Sequence, residues 1–169
     1  MLNTDPIYHI TKTEEITELI LNLSDTIVFP NSWRLKDLLI HLHVVDLEWI
    51  DQIKHLLDKK IRINLAGWAI TEFYKLPEAE QKGFDKKCLF SWAKMNLNYN
   101  EWTDQIIEKY QKYNLDEMKK KFRQGRNELL AHFNRISNAI DDHEKLSENI
   151  LSLWYHDKGH LQKGNIEFE

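Results

Sequence analysis

The chain has 169 residues, of which 42% are hydrophobic and 30% charged, and it contains six tryptophans but only three prolines and five glycines. This composition excludes a disordered chain and predicts one helix-rich globular domain over residues 1–169. The net charge of −4 argues against nucleic acid as a partner. We expect a cytoplasmic protein without a membrane span, because the sequence shows no signal-peptide pattern, no cysteine pair and no run of about 20 apolar residues.

Two helices are predicted in the first part of the chain. The segment Thr11–Glu14 has the spacing of a capping box, so we expect the first helix to begin near its threonine. Ser32 is a suitable N-cap for a long second helix over residues 33–59. The edges of its apolar face carry His41 on one side and Asp46 on the other. The face itself consists of residues at helical spacing, namely Leu35, Leu38, Leu42, Val45, Trp49, Ile53 and Leu56.

The rest of the chain predicts a long connection followed by more helices. Residues 61–86 show no regular period, and we expect their Trp68 and Tyr74 to line the mouth of a pocket, although such aromatics also often just cover a core. Helices without strand signals, joined by one long connection, predict an all-α four-helix bundle. The later helical segments are residues 89–113, a helix capped by Asn114 and a last helix capped by Ser147.

A pair of histidines in the last helix is the first candidate for chemistry. His156 and His160 are spaced i and i+4, which makes them neighbours on one face of a helix. Two imidazoles so placed can converge on one metal ion at about 2.0–2.1 Å each. The alternative is a pair of solvated histidines near the end of a helix, where the helix dipole favours them.

Two neighbours of this pair are unusual for their positions. Asp157 lies within the apolar face, where an unpaired carboxylate is costly to bury. It either orients a metal ligand or forms a salt bridge, for example with an arginine of another helix. Gly159 inside a helix costs about 1 kcal/mol relative to alanine. The close approach of another helix or of a bound molecule would offset this cost, and fraying of the helix end would reduce it.

Four segments resemble the DinB-like superfamily in the same order along the chain. WRLKDLLIHL from Trp33, followed by the acid Asp46, resembles its second helix, in which a tryptophan precedes a metal-binding histidine by eight residues. HDKGHLQ from His156 resembles its last helix. WTDQII from Trp102 and LDEMKKKFRQGRNELL from Leu115 resemble the middle helices of the branch that contains the ClbS and DfsB proteins.

This resemblance implies a fold, an ion and a class of reaction. It implies an up-up-down-down bundle, frequently a homodimer, with a divalent ion (often zinc or nickel) held by His41, His156 and His160. Members of the wider family include hydrolases and enzymes that transfer a low-molecular-weight thiol. We therefore expect a metal-dependent enzyme that acts on a small electrophilic or xenobiotic molecule. Asp46 or Asp157 would be the general base, unless each is simply a salt-bridge partner.

The main alternative is a protein without metal. Relatives in the ClbS branch often lack the three histidines, so a non-catalytic or metal-free ClbS-like protein that binds a small molecule and confers resistance to it is the second hypothesis. Three histidine ligands leave one position of a tetrahedral ion open, which is typical of catalytic rather than structural sites. The histidines therefore separate the two hypotheses.

Overall fold

The computed structural model describes residues 5–29, 32–59, 98–138 and 143–167. Within these ranges the chain is all-helical, as predicted, and contains no β-strand beyond a single antiparallel bridge between Val28 and Arg34. The predicted connection over 61–86, with Trp68 and Tyr74, lies outside the described residues. The helices are α1 (Pro6–Leu21), α2 (Leu35–Lys59), α3 (Tyr99–Tyr110), α4 (Leu115–Ser137) and α5 (His143–Lys163).

Helix α1 begins before the position that the capping-box pattern predicted, so that prediction was wrong. The carboxylate of Asp5 caps the helix by accepting from the backbone N–H of Ile7 at 3.0 Å. Pro6 takes the first helical position, where its missing N–H leaves no bond unmade. Thr11 lies inside the helix, and its hydroxyl donates to the carbonyl of Ile7 at 3.1 Å. A threonine in mid-helix can satisfy its hydroxyl in this way, which is why its spacing to Glu14 misled.

Helix α2 begins at Leu35, two residues after the predicted start at Trp33. Ser32 is not its cap, because the backbone there adopts a left-handed conformation with φ 61°. Instead, the N–H of Arg34 donates to the carboxylate of Asp37 at 2.9 Å, just ahead of the first turn. The predicted apolar face is confirmed, since its members with described side chains are all buried: Leu35, Leu38, Leu42, Val45, Trp49 and Ile53.

The later helices follow the prediction in kind and differ in their starts. Asn114 caps α4 as predicted, in a capping box with Glu117, and Asn98 caps α3 in the same way with Glu101. Within the predicted helix over 89–113, the described part is helical over Tyr99–Tyr110. Helix α5 begins at His143, ahead of the predicted cap Ser147, whose side chain is buried within the helix.

Helices α2 and α5 each pack mainly on a different partner helix. Helix α2 packs mainly on α4 and also contacts α3, whereas α1 packs mainly on α5 and also contacts α4. No helix in the described ranges is both long and apolar enough to cross a bilayer. Large side chains that are fully buried between the helices include Ile16, Ile20, Leu38, Leu39, Leu42, Trp49, Phe122 and Phe133.

Candidate metal centre

Three histidine side chains from two helices converge at one point. The Nε2 atom of His41, on α2, lies 3.2 Å from the Nε2 atom of His156, on α5. The same His156 atom lies 3.3 Å from Nε2 of His160, one turn further along α5. One ring nitrogen from each residue lies within 4.8 Å of the other two. His41 is buried and the other two are half-buried, so the cluster lies at the edge of the core.

The spacing of these nitrogens fits the donor set of a divalent ion. Ligand nitrogens held at about 2.0–2.1 Å from a tetrahedral zinc ion lie about 3.3–3.4 Å from one another. The two Nε2–Nε2 distances of 3.2 and 3.3 Å are close to this value. Imidazole nitrogens suit zinc and nickel among the divalent metals. The three histidines therefore lie close enough together to hold such an ion.

A buried carboxylate fixes the orientation of the central imidazole. Nδ1 of His156 lies 3.2 Å from Oδ1 of Asp157, whose side chain is fully buried. An ionised carboxylate only accepts hydrogen bonds, so the imidazole donates from Nδ1. The lone pair of His156 then lies on Nε2, the atom that points into the cluster. Carboxylates commonly orient metal-binding histidines in this way.

Behind this carboxylate, Arg126 of α4 joins two acids. Its NH1 atom donates to Oδ2 of Asp157 at 2.6 Å, and its Nε atom donates to Oδ2 of Asp46 at 2.9 Å. The exposed fractions of these three residues are 1% for the arginine and 0% for each acid. NH1 also lies 3.4 Å from the hydroxyl of Thr17 on α1. Polar contacts of one arginine thus tie α4 to α1, α2 and α5.

The two acids differ in how readily they ionise. Burial raises the pKa of Asp46 to about 7, although the charge of Arg126 opposes this. Burial alone would also raise the pKa of Asp157, but the charge of Arg126 and the hydrogen bond from His156 hold that pKa below its usual value. Asp157 is therefore the acid that keeps its charge under the histidines. Asp46 takes up a proton more readily than Asp157 does.

The electrostatic surroundings keep two of the histidines neutral. Burial, with a further contribution from the charges of the neighbouring histidines, lowers the pKa of His41 well below its ordinary value. Burial and the charge of His156 lower the pKa of His160 to about 3. Neutral imidazoles retain the lone pairs that a metal needs, so neither residue must lose a proton to bind an ion at neutral pH.

Aromatic side chains surround the cluster on its outer side. The Trp33 ring lies nearly parallel to the His160 ring, with centroids 6.0 Å apart, and 5.3 Å from the His41 ring. The hydroxyl of Tyr99, the first residue of α3, lies 3.0 Å from Nε2 of His41. The carbonyl of Trp33 accepts from the N–H of Phe29 at 2.8 Å, which holds these two residues close.

A pocket of about 410 Å³ opens against one of the three histidines. This volume lies within the range of small-molecule sites. Its lining combines three aromatic side chains with polar side chains, among them one acid and one lysine. Its lining consists of Phe29, Trp33, Tyr99, Asn100, Thr103, Asp104, His160 and Lys163.

The structure brings most of the predicted site residues together. The predicted ligands His41, His156 and His160 form the cluster. The salt-bridge interpretation of both acids agrees with the contacts to Arg126, whereas their role as general base stays a prediction. The predicted pocket residues Trp68 and Tyr74 lie outside the described residues.

Sequence reasoning missed Arg126 and Tyr99 as parts of the site. A signal for Arg126 existed, because it is a single arginine within the apolar face of α4, between Phe122 and Leu129. No comparable signal marks Tyr99. Its position depends on where α3 begins and on how that helix packs against α2.

No protein-family model, curated protein or solved structure matches this chain. The resemblance to the DinB-like superfamily therefore stays a prediction. What can be said of function rests on the geometry of the cluster and of the pocket beside it.

Proposed function

We propose that the protein is a metal-dependent enzyme of the DinB-like type. It acts on a small electrophilic or xenobiotic molecule, by transfer of a low-molecular-weight thiol or by hydrolysis. The observation that carries this proposal is the convergence of His41, His156 and His160 beside a pocket of small-molecule size. The same proposal includes the four-helix bundle, the homodimer and the cytoplasmic location expected from the sequence.

The residues around the cluster have different roles in the proposed reaction. A divalent ion with one open position would supply Lewis-acid activation of a water or a thiol. Asp157 holds the imidazole of His156 with its lone pair directed into the cluster, so it is a positioning residue. The pocket, whose lining includes Trp33 and His160, would hold the substrate beside the cluster.

Of the two predicted general bases, Asp46 has the more suitable pKa, whereas Asp157 has the direct contact with the cluster. A general base works best when its pKa is close to the operating pH, and burial raises the pKa of Asp46 to about 7. Its Oδ2 accepts from Arg126, whereas Oδ1 has no hydrogen-bond partner within the described part of the chain. Asp157 uses both of its oxygens, one for Arg126 and one for His156.

Metal content measured by plasma mass spectrometry on untagged protein tests this proposal. We expect about one equivalent of zinc or nickel per chain, and its loss in His160→Ala and in the triple variant of His41, His156 and His160. His132→Ala is the matched control, because it removes a buried histidine of α4 outside the cluster. Protein that holds no metal, and recovers none after incubation with either ion, would refute the proposal.

The second candidate function is metal-free binding of a small molecule, as in the ClbS-like alternative. One observation favours it: without any ion, Nε2 of His156 lies within hydrogen-bond distance of Nε2 of both other histidines, and the Tyr99 hydroxyl lies within that distance of His41. Under this hypothesis His160→Ala leaves ligand binding largely intact. A thermal-shift screen of electrophiles and thiols, run with and without chelator, distinguishes the two functions.

A further inference from the structure

Tyr99 occupies the boundary between the histidine cluster and the pocket. Its hydroxyl lies 3.0 Å from Nε2 of His41, and its ring meets the His41 ring edge-on with centroids 5.8 Å apart. The same residue lines the pocket together with Trp33 and His160. Tyr99 therefore contacts one of the three histidines and also faces whatever enters the pocket.

The contact with His41 uses the atom that a metal ion would need. Nε2 of His41 has a single lone pair, which either accepts a hydrogen bond from the tyrosine or coordinates an ion. A phenol is protonated at neutral pH and can donate one hydrogen bond. When an ion takes the Nε2 lone pair, the hydroxyl of Tyr99 loses this partner. Because Tyr99 also lines the pocket, a bound ligand would offer this hydroxyl another acceptor.

The rest of the pocket wall indicates what such a donor would meet. Phe29 and Trp33 contribute aromatic side chains to the lining, and such side chains suit a flat apolar group. The remaining wall is polar, through residues such as Thr103 and Asp104. A ligand that combines a planar apolar part with an acceptor atom at its inner end would use both kinds of wall.

We propose that Tyr99 is a substrate-binding residue, and that the pocket takes a small planar molecule whose carbonyl-type oxygen accepts a hydrogen bond from the Tyr99 hydroxyl. This proposal rests on the proposed metal function. A substrate oxygen would then be an alternative acceptor to Nε2 of His41 for this hydroxyl. Tyr99 thereby orients the electrophile beside His160, without being a metal ligand.

The test compares two ligands of the same protein, Co²⁺ and benzohydroxamate. Benzohydroxamate has a flat ring and a carbonyl oxygen, and its binding to the Co²⁺-loaded protein can be followed in the visible spectrum of the ion. A neutral hydrogen bond contributes a factor of about 2 to 12 to an equilibrium constant. Tyr99→Phe should therefore bind benzohydroxamate about 2- to 12-fold more weakly than the unsubstituted protein does.

The affinity for Co²⁺ provides the second readout. Tyr99→Phe should bind the ion as tightly as the unsubstituted protein or up to about tenfold more tightly, because no hydrogen bond must be broken first. Tyr155→Phe is the matched control. It removes an exposed hydroxyl from α5 outside the pocket lining, so both affinities should stay unchanged.

Three results would overturn the proposal, each in a different way. A loss of Co²⁺ affinity of more than about tenfold in Tyr99→Phe would make the tyrosine a metal ligand. Unchanged benzohydroxamate affinity in that variant, with Co²⁺ still bound, would remove its role in substrate binding. Failure of the unsubstituted protein to bind Co²⁺ would overturn the proposed function and, with it, this inference.

Discussion

Replacing Arg126 by methionine tests the buried network most directly. The substitution keeps much of the side-chain volume but removes the charge between Asp46 and Asp157. Both acids are fully buried, and Arg126 donates to them at 2.9 and 2.6 Å. The variant therefore leaves two carboxylates in the core without their cation.

The expected loss of stability is large for a single substitution. Removing one partner of a buried ion pair costs about 3–5 kcal/mol, since the remaining charge is desolvated and uncompensated. In a chain of 169 residues, each kcal/mol corresponds to about 2–4 °C in Tm. Arg126→Met should thus lower Tm by about 6–20 °C.

Surface arginine Arg123 provides the matched control. It pairs with Glu18, and both side chains are about half exposed. Exposed pairs contribute about 0–1 kcal/mol, so Arg123→Met should lower Tm by less than about 4 °C. Differential scanning calorimetry of both variants measures the contrast.

The loss of stability in Arg126→Met should depend on pH, with a direction that follows from the two acids. Without the arginine, burial raises the pKa of both acids above that in the unfolded chain, so the folded state binds more protons than the unfolded state does. The free energy of unfolding then falls as the pH rises. The Tm difference between Arg126→Met and the unsubstituted protein should be larger at pH 8 than at pH 5. A drop of less than about 2 °C at pH 8, or a difference independent of pH, would refute this reasoning.

Three further predictions concern the surroundings of the site. Asp157→Asn should weaken metal binding about 10- to 100-fold in a competition with chelator, because the charge that orients His156 is lost; equal affinity would rule out the orienting role. Gly125→Val should lower the free energy of unfolding, measured in urea, by about 1–3 kcal/mol, because a Cβ there would lie 3.0 Å from Nδ1 of His43. Gly159→Ala should raise it by about 1 kcal/mol, because a Cβ at that position meets open space among the described residues. Burial lowers the pKa of His43 to about 4, so the protein should lose stability as the pH falls from 6.5 towards 4. His43→Gln should reduce the slope of Tm against pH in this range, and an unchanged slope would contradict the assignment of this effect to His43.

Features that depend on local spacing could be predicted from the sequence. The apolar face of α2 follows from the period of its residues, and the pairing of His156 with His160 follows from one helical turn. The cap at Asn114 needs only its own short motif. Helix starts at Thr11, Ser32 and Ser147 were wrong, because a hydroxyl residue followed by an acid also occurs inside helices and in turns.

Features that depend on packing between distant helices could not be predicted. The cost of burying Asp157 indicated that it must have a partner, but sequence spacing could not single out Arg126 on α4. The same holds for Tyr99, whose contact with His41 joins α3 to α2. The open space at Gly159 also differs from the helix approach considered from the sequence, since within the described residues nothing packs there.

The separation of the histidines along the chain has a consequence for how the protein matures. His41 and His156 are 115 positions apart, and they lie on helices whose main packing partners are different. Because the triad combines residues of α2 and α5, an ion held by all three histidines would bind only after the early and late parts of the chain have docked. Metal uptake during refolding would then report this docking, and it would occur later than the spectroscopic signal of helix formation.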